Sequence, residues 1–145
     1  MAIQKISRPM SYPSTGGSSS LESKTAACVT ELMNARNSFH KLHLRVTGLG
    51  SFASHKALNE LYDALPDHAD DLAEAFQGAA EKLLVFQDGV TRSLSSVDEA
   101  ISYLRDIKEM VTTLQSSMPY SEIVNDLDNV KSTINSIKYK LLFLK

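Results

Sequence analysis

Tryptophan is absent from this sequence, cysteine occurs once, and no uninterrupted apolar run approaches the length needed to cross a bilayer. The lone Cys28 cannot close an internal disulfide, so a stapled small scaffold is excluded, and a reducing compartment fits. The first residues, MAIQKISRPM, lack the apolar core of a signal peptide, so the expectation is a protein that stays in the cytoplasm and away from membranes. Neither sign of charge is in excess either, with 15 Lys and Arg against 17 Asp and Glu. The folded body therefore has no general attraction for phosphate backbones, and DNA could be touched only weakly, through Lys5 and Arg8 of the acid-free N-terminal segment.

What is present is helical patterning. A chain of 145 residues suits one domain. Residues 1–20 hold Pro9, Pro13, Gly16 and Gly17 followed by a serine run, with no period able to bury a face, and read as an extended arm. The bundle domain then spans residues 21–145. Its first helix is expected to start at Ser19, in a capping box with Glu22, and to carry the stripe Val29, Leu32, Arg36, Phe39, His43, Val46 until Gly48 and Gly50 release it. A second helix restarts near Ser51 or Ser54, with Leu58, Leu61, Tyr62, Leu65, Ala69, Leu72, Phe76 and Leu83 within about a third of the helical circumference. Pro66 inside that pattern predicts a kink or a short break, and Gly89 a stop.

A third helix opens on the capping box Ser96 with Glu99 and runs to Met118 and Pro119. The fourth carries Ile123, Leu127, Val130, Ile134, Ile137 and Leu141 at heptad spacing. It ends in KLLFLK, apolar on more than one side, which suggests a buried end or a subunit contact. With no strand-like alternation to compete, the four amphipathic stripes must bury one another, giving an all-α antiparallel four-helix bundle of ferritin-like kind with an extended N-terminal arm.

All four histidines, His40, His43, His55 and His68, fall in the first two helices. None has Glu three residues before it, which excludes the Glu-x-x-His turns of a di-iron site inside one bundle. On the helical wheel His55, Asn59, Asp63, Asp70 and Glu74 share a stripe about 100° wide, and His43 joins from the first helix. Imidazole with carboxylate suits iron, zinc or manganese. The duller reading makes His43 a hydrogen-bonded interior residue, His40 and His68 surface residues, and Glu60, Asp63, Asp67 and Asp71 a solvated face. Arg36 would pair with a buried carboxylate.

The segment from His43 to Glu74, HLRVTGLGSFASHKALNELYDALPDHADDLAE, resembles the signature of the Dps family of mini-ferritins. There a His at the end of the first helix precedes a short link, here Gly48 to Phe52. A second His follows twelve residues on, here His55, and an Asp and a Glu four residues apart lie further down, here Asp70 and Glu74. The family's Asp four residues after the second His is Asn59 in this chain. The resemblance implies a twelve-subunit shell whose ferroxidase sites lie at two-fold interfaces, with His43, His55 and Asn59 of one subunit facing Asp70 and Glu74 of its neighbour. The same resemblance implies that iron would be oxidised there, by peroxide or dioxygen, and stored inside the shell. The third and fourth helices, ending INSIKYKLLFLK, also look like those of ferritin-like proteins of tailed bacteriophages, which implies an alternative: a metal-free structural or interaction protein, host- or virion-associated.

Overall fold

The computed structural model describes residues 20–145. The N-terminal arm with Lys5 and Arg8, and the expected cap Ser19, lie outside the described residues. Four helices follow, α1 (Leu21–His43), α2 (Ser51–Ala80), α3 (Val97–Ser116) and α4 (Ser121–Phe143), and there is no strand among the described residues. This is the all-α bundle that the periodicity predicts.

The cap of α1 is Ser20, whose side chain accepts the Ser23 N–H at 3.1 Å. The reciprocal carboxylate of a capping box is missing, since Ser23 occupies its position. Glu22 instead sits in the first turn, where a carboxylate favours the helix dipole, and pairs with Lys82 at 3.9 Å. Gly48 and Gly50, at φ +85° and +78°, take left-handed conformations that a side chain would resist. They turn the chain within seven residues, so α1 and α2 are antiparallel neighbours. The helices meet as a ring in the order α1, α2, α4, α3.

The predicted seams form the core. All six apolar positions of α4 are buried, as are Ile101, Leu104, Ile107, Val111 and Leu114 of α3, each contributing roughly 1.5–3 kcal/mol. In α2, Leu58, Leu61, Leu65, Ala69, Leu72 and Phe76 are buried as expected. Of the kink or short break expected at Pro66, the break does not occur: α2 runs through the proline as one helix. Its ring denies the Tyr62 carbonyl a donor, a cost of about 3 kcal/mol that burial of the flanking Leu65 and Ala69 offsets.

The second helix stops at Ala80 rather than Gly89, and Leu83, expected in the core, is exposed. Glu81 reverses the chain in a left-handed conformation at φ +51°. The reason is length. The third helix starts at the far end of the bundle, where Ser95, Ser96 and Val97 lie beside Leu42 and Arg45. A crossover along α1 must cover about 35 Å, which needs at least ten extended residues and not the six left after Gly89. Residues 83–95 therefore form a strap along the bundle, anchored by the buried Leu84 and Leu94.

Gly89 lies hard against α1, where an added Cβ would lie 2.2 Å from Asn34 Nδ2. Beyond it, the Arg92 guanidinium lies 4.1 Å over the Tyr103 ring and donates to Asp106 at 2.7 Å. The α3 cap is half of the predicted box: Ser96 accepts the Glu99 N–H, while the Glu99 carboxylate accepts from the N–H and hydroxyl of Ser95. Those bonds hold Glu99 below the usual carboxylate range.

Candidate metal centre

The α1–α2 turn brings two imidazoles together. His43 closes α1 and is buried, at 6% exposure, whereas His55, in the second turn of α2, is exposed. Their rings stack with centroids 3.6 Å apart and planes 21° from parallel. Each Nδ1 bonds the other residue's backbone carbonyl, His43 to His55 O at 2.8 Å and His55 to His43 O at 3.0 Å. A carbonyl oxygen only accepts, so both Nδ1 atoms carry hydrogen. In the neutral rings both Nε2 atoms then hold lone pairs. Donation from one ring nitrogen to a carbonyl is how a metal-ligating His is oriented, with the other nitrogen left for the cation.

Two residues outside the expected set complete the cluster. The Tyr62 ring stacks on His40 at 4.0 Å and meets His43 edge-on at 5.1 Å. His40 is thus a half-buried packing partner and not a surface residue. Asn59 is committed within α2: it donates to Asp63 Oδ2 at 2.6 Å and accepts from the Tyr62 hydroxyl at 3.1 Å. The sequence signal for these additions is spacing, since His40 precedes His43, and Asn59 precedes Tyr62, by three residues, one helical neighbour position.

Asp70 and Glu74 are exposed on the same outer stripe of α2 as His55, and none of the four ion pairs among the described residues uses them. At 1.5 Å per residue they lie roughly 22 and 28 Å further down the helix than His55, so they cannot share a cation with it inside one chain. Among the described residues no three His, Cys, Asp or Glu side chains gather as a metal-ligating group.

Elsewhere the expectations divide. His68, expected at the surface, is half-buried and bonds Thr133 Oγ1 through Nε2 at 2.9 Å, which ties α2 to α4. Burial lowers its pKa, against Asp71, Asp67 and Asp126, which raise it. Arg36 meets no buried carboxylate; its guanidinium donates to the neighbouring Asn37 at 3.3 Å. Glu60 is not merely solvated, since it pairs with Lys140 of α4. Cys28 is fully buried, which pushes its thiol up to about 12 and makes it unreactive. Among the described residues no helix is long and apolar enough to cross a membrane.

A family model described as a family of unknown function (DUF5856) matches residues 43–141, beginning on His43 itself. A DNA protection during starvation protein of Helicobacter pylori (strain J99) is 29% identical over 98 residues, 68% of this chain and 61% of that protein. The chain thus spans less than two thirds of that relative's length. No solved structure matches at comparable stringency.

Proposed function

Because the chain belongs to a family of unknown function, DUF5856, whose membership brings no activity with it, we propose that it is a Dps-like mini-ferritin that binds and oxidises Fe(II) between subunits and stores the product. The observation that carries this reading is the His43–His55 pair, held by Nδ1 so that both Nε2 lone pairs are available to a cation. Similarity over 68% of the chain to a DNA protection during starvation protein supports the same reading.

His43 and His55 supply nitrogen ligands from one subunit, and Asp70 and Glu74 of the neighbouring subunit supply oxygen ligands and negative charge. Iron is the substrate here. Each Fe(II) gives up one electron and peroxide accepts a pair, being reduced to hydroxide, so iron ions are consumed two for each peroxide. Carboxylates favour the Fe(III) product because hard oxygen donors suit the more highly charged ion. Asn59, with its amide already bonded to Asp63 and Tyr62, is a weak fifth ligand. The assembly is a homo-oligomer, a dodecamer if the Dps pattern holds throughout, acting in the cytoplasm, and contact of Lys5 and Arg8 with DNA adds only weakly to its role.

Fe(II) added without oxygen, followed by peroxide, tests the activity: the near-ultraviolet absorbance of ferric oxo species is expected, and lost in His43→Ala or Asp70→Ala. Co(II) titration reads binding alone through the visible bands of the bound ion. A second reading, a metal-free assembly protein of cellular or phage origin, is favoured by the neutral Asn59 in place of a carboxylate, and flat traces in both experiments would select it.

A further inference from the structure

Two grooves run along α1 from its N-terminal cap, one of about 450 Å³ beside the strap and one of about 480 Å³ against α3, and they merge at Ala27 and Met110. Ser20, the first described residue, lies at the mouth of the first. Apolar groups are exposed along it: Ala27 and Met110, with Leu83 and Val85 of the strap 79% and 77% exposed. The rim is acidic, with Glu22, Glu31, Asp88, Asp106 and Glu109 against Lys24 and Lys82. Glu22 pairs with Lys82, Asp106 pairs with Arg92, and Glu31 accepts from Tyr103. Asp88 and Glu109 enter none of the four ion pairs among the described residues.

We propose that residues 1–19 of the same chain occupy this groove, folded back along α1 with Arg8 against Asp88. Position, composition and reach select this occupant. The segment joins the bundle at Ser20, so it is tethered at the mouth of the groove and meets it at high effective concentration. It carries Ile3, Ile6, Met10 and Tyr12 to cover apolar groups, and Lys5 and Arg8 with no acid to face the acidic rim. A second copy meeting the groove through the same face would instead set acid against acid.

The chain length fits as well. A return path needs a sharp reversal, which Gly16 and Gly17 permit. Extended chain advances about 3.3 Å per residue against about 1.5 Å in α1. Reversed at Gly17, the arm comes level with Ala27 near Ser11 and with Thr30 and Asn34 near Arg8. Gly89 rests against Thr30 and Asn34, and Asp88 is its chain neighbour. The free acid of the strap therefore lies where the arm delivers its arginine. Docking commits Arg8 to the bundle, which keeps its contact with DNA weak.

Cross-linking within the full chain tests this. Native Cys28 is buried, with its thiol pushed up to about 12, so Ser11→Cys combined with Ala27→Cys supplies the reactive thiols. Ser11→Cys combined with Ser136→Cys, on the exposed side of α4, is the control. A short bis-maleimide is expected to join the first pair within one chain at least about tenfold faster than the control pair. Arg8→Glu is expected to slow that reaction at least about threefold, and adding Asp88→Arg to restore it. Ala27, Asp88 and Ser136 are exposed, so helical circular dichroism is expected to stay unchanged throughout.

A first pair that reacts no faster than the control overturns arm docking, as does a rate that Arg8→Glu leaves unchanged or that Asp88→Arg fails to restore. Cross-linked dimers in place of the intrachain product would put a neighbouring copy on the groove and overturn it too. None of the substituted residues is a proposed iron ligand, so each of these failures leaves the iron-oxidation reading standing.

Discussion

His43 and His55 each donate to the other's main chain, so the two imidazoles hold the end of α1 against the start of α2 before any cation arrives. The pair is therefore structural as well as the proposed source of ligands. His55→Ala removes a bond at 3.0 Å and one face of the stack and is expected to cost about 1–2 kcal/mol. His43→Ala, at a buried position, is expected to cost more. In a urea-denaturation double-mutant cycle the two losses should not add, because each variant already breaks the shared stack.

The strap is pinned where it has no side chain. Gly89→Val would force a branched side chain against Thr30 and Asn34, and overpacking of this kind costs about 1–3 kcal/mol. The expected result is a lower thermal midpoint together with faster proteolysis within residues 83–95, while Gly78→Ala, where nothing lies within 4 Å, leaves both unchanged or slightly improved.

Acid should weaken the α2–α4 contact through His68. Burial is the largest influence and holds its folded pKa below the ordinary 6.5, so as pH falls the unfolded chain takes up this proton first. The contribution is complete above about 6.5 and is lost as pH drops through the folded value. His68→Gln retains a partner for Thr133 and should flatten the acid side of a plot of stability against pH from 7 to 5. An unaltered slope would assign the acid sensitivity elsewhere.

Asn59→Asp exchanges an amide donor for a second carboxylate at a position 2.6 Å from Asp63. Without metal the like charges should lower the melting temperature by a few degrees. With Mn(II) or anaerobic Fe(II) present the same variant should gain more in melting temperature than the wild type, since it offers the cation of the proposed site a carboxylate in place of a neutral amide.

The parts of this molecule legible in its sequence are those governed by a period. The seams of α3 and α4 are read residue by residue, because positions such as Ile107 and Leu127 are fixed by helical spacing alone. The cap of α1 is ambiguous by one residue, since Ser18 to Ser20 offer equivalent hydroxyls. The strap is not legible from pattern: Leu83 continues the apolar face of α2, and only the distance the chain must travel to begin α3 forbids a longer helix.

At the candidate site, the stripe from His55 to Glu74 follows from spacing within one helix. The His43–His55 stack, and the Tyr62 ring against His40, depend on how α1 and α2 register across the turn, which no single helix encodes. Pro66 shows the reverse case, a local stop signal that does not end the helix when the residues flanking it, Leu65 and Ala69, are buried.

The central claim is that one site takes its imidazoles from one subunit and its carboxylates from another, and mixing tests it most directly. The double variants His43→Ala, His55→Ala and Asp70→Ala, Glu74→Ala are each expected to be inactive in peroxide-driven Fe(II) oxidation. Unfolded together in equal amounts and refolded, they should recover about a quarter of the wild-type rate, because random assembly makes a quarter of the sites from one intact pair of each kind. Mixed oligomers with no activity above either parent would contradict the account.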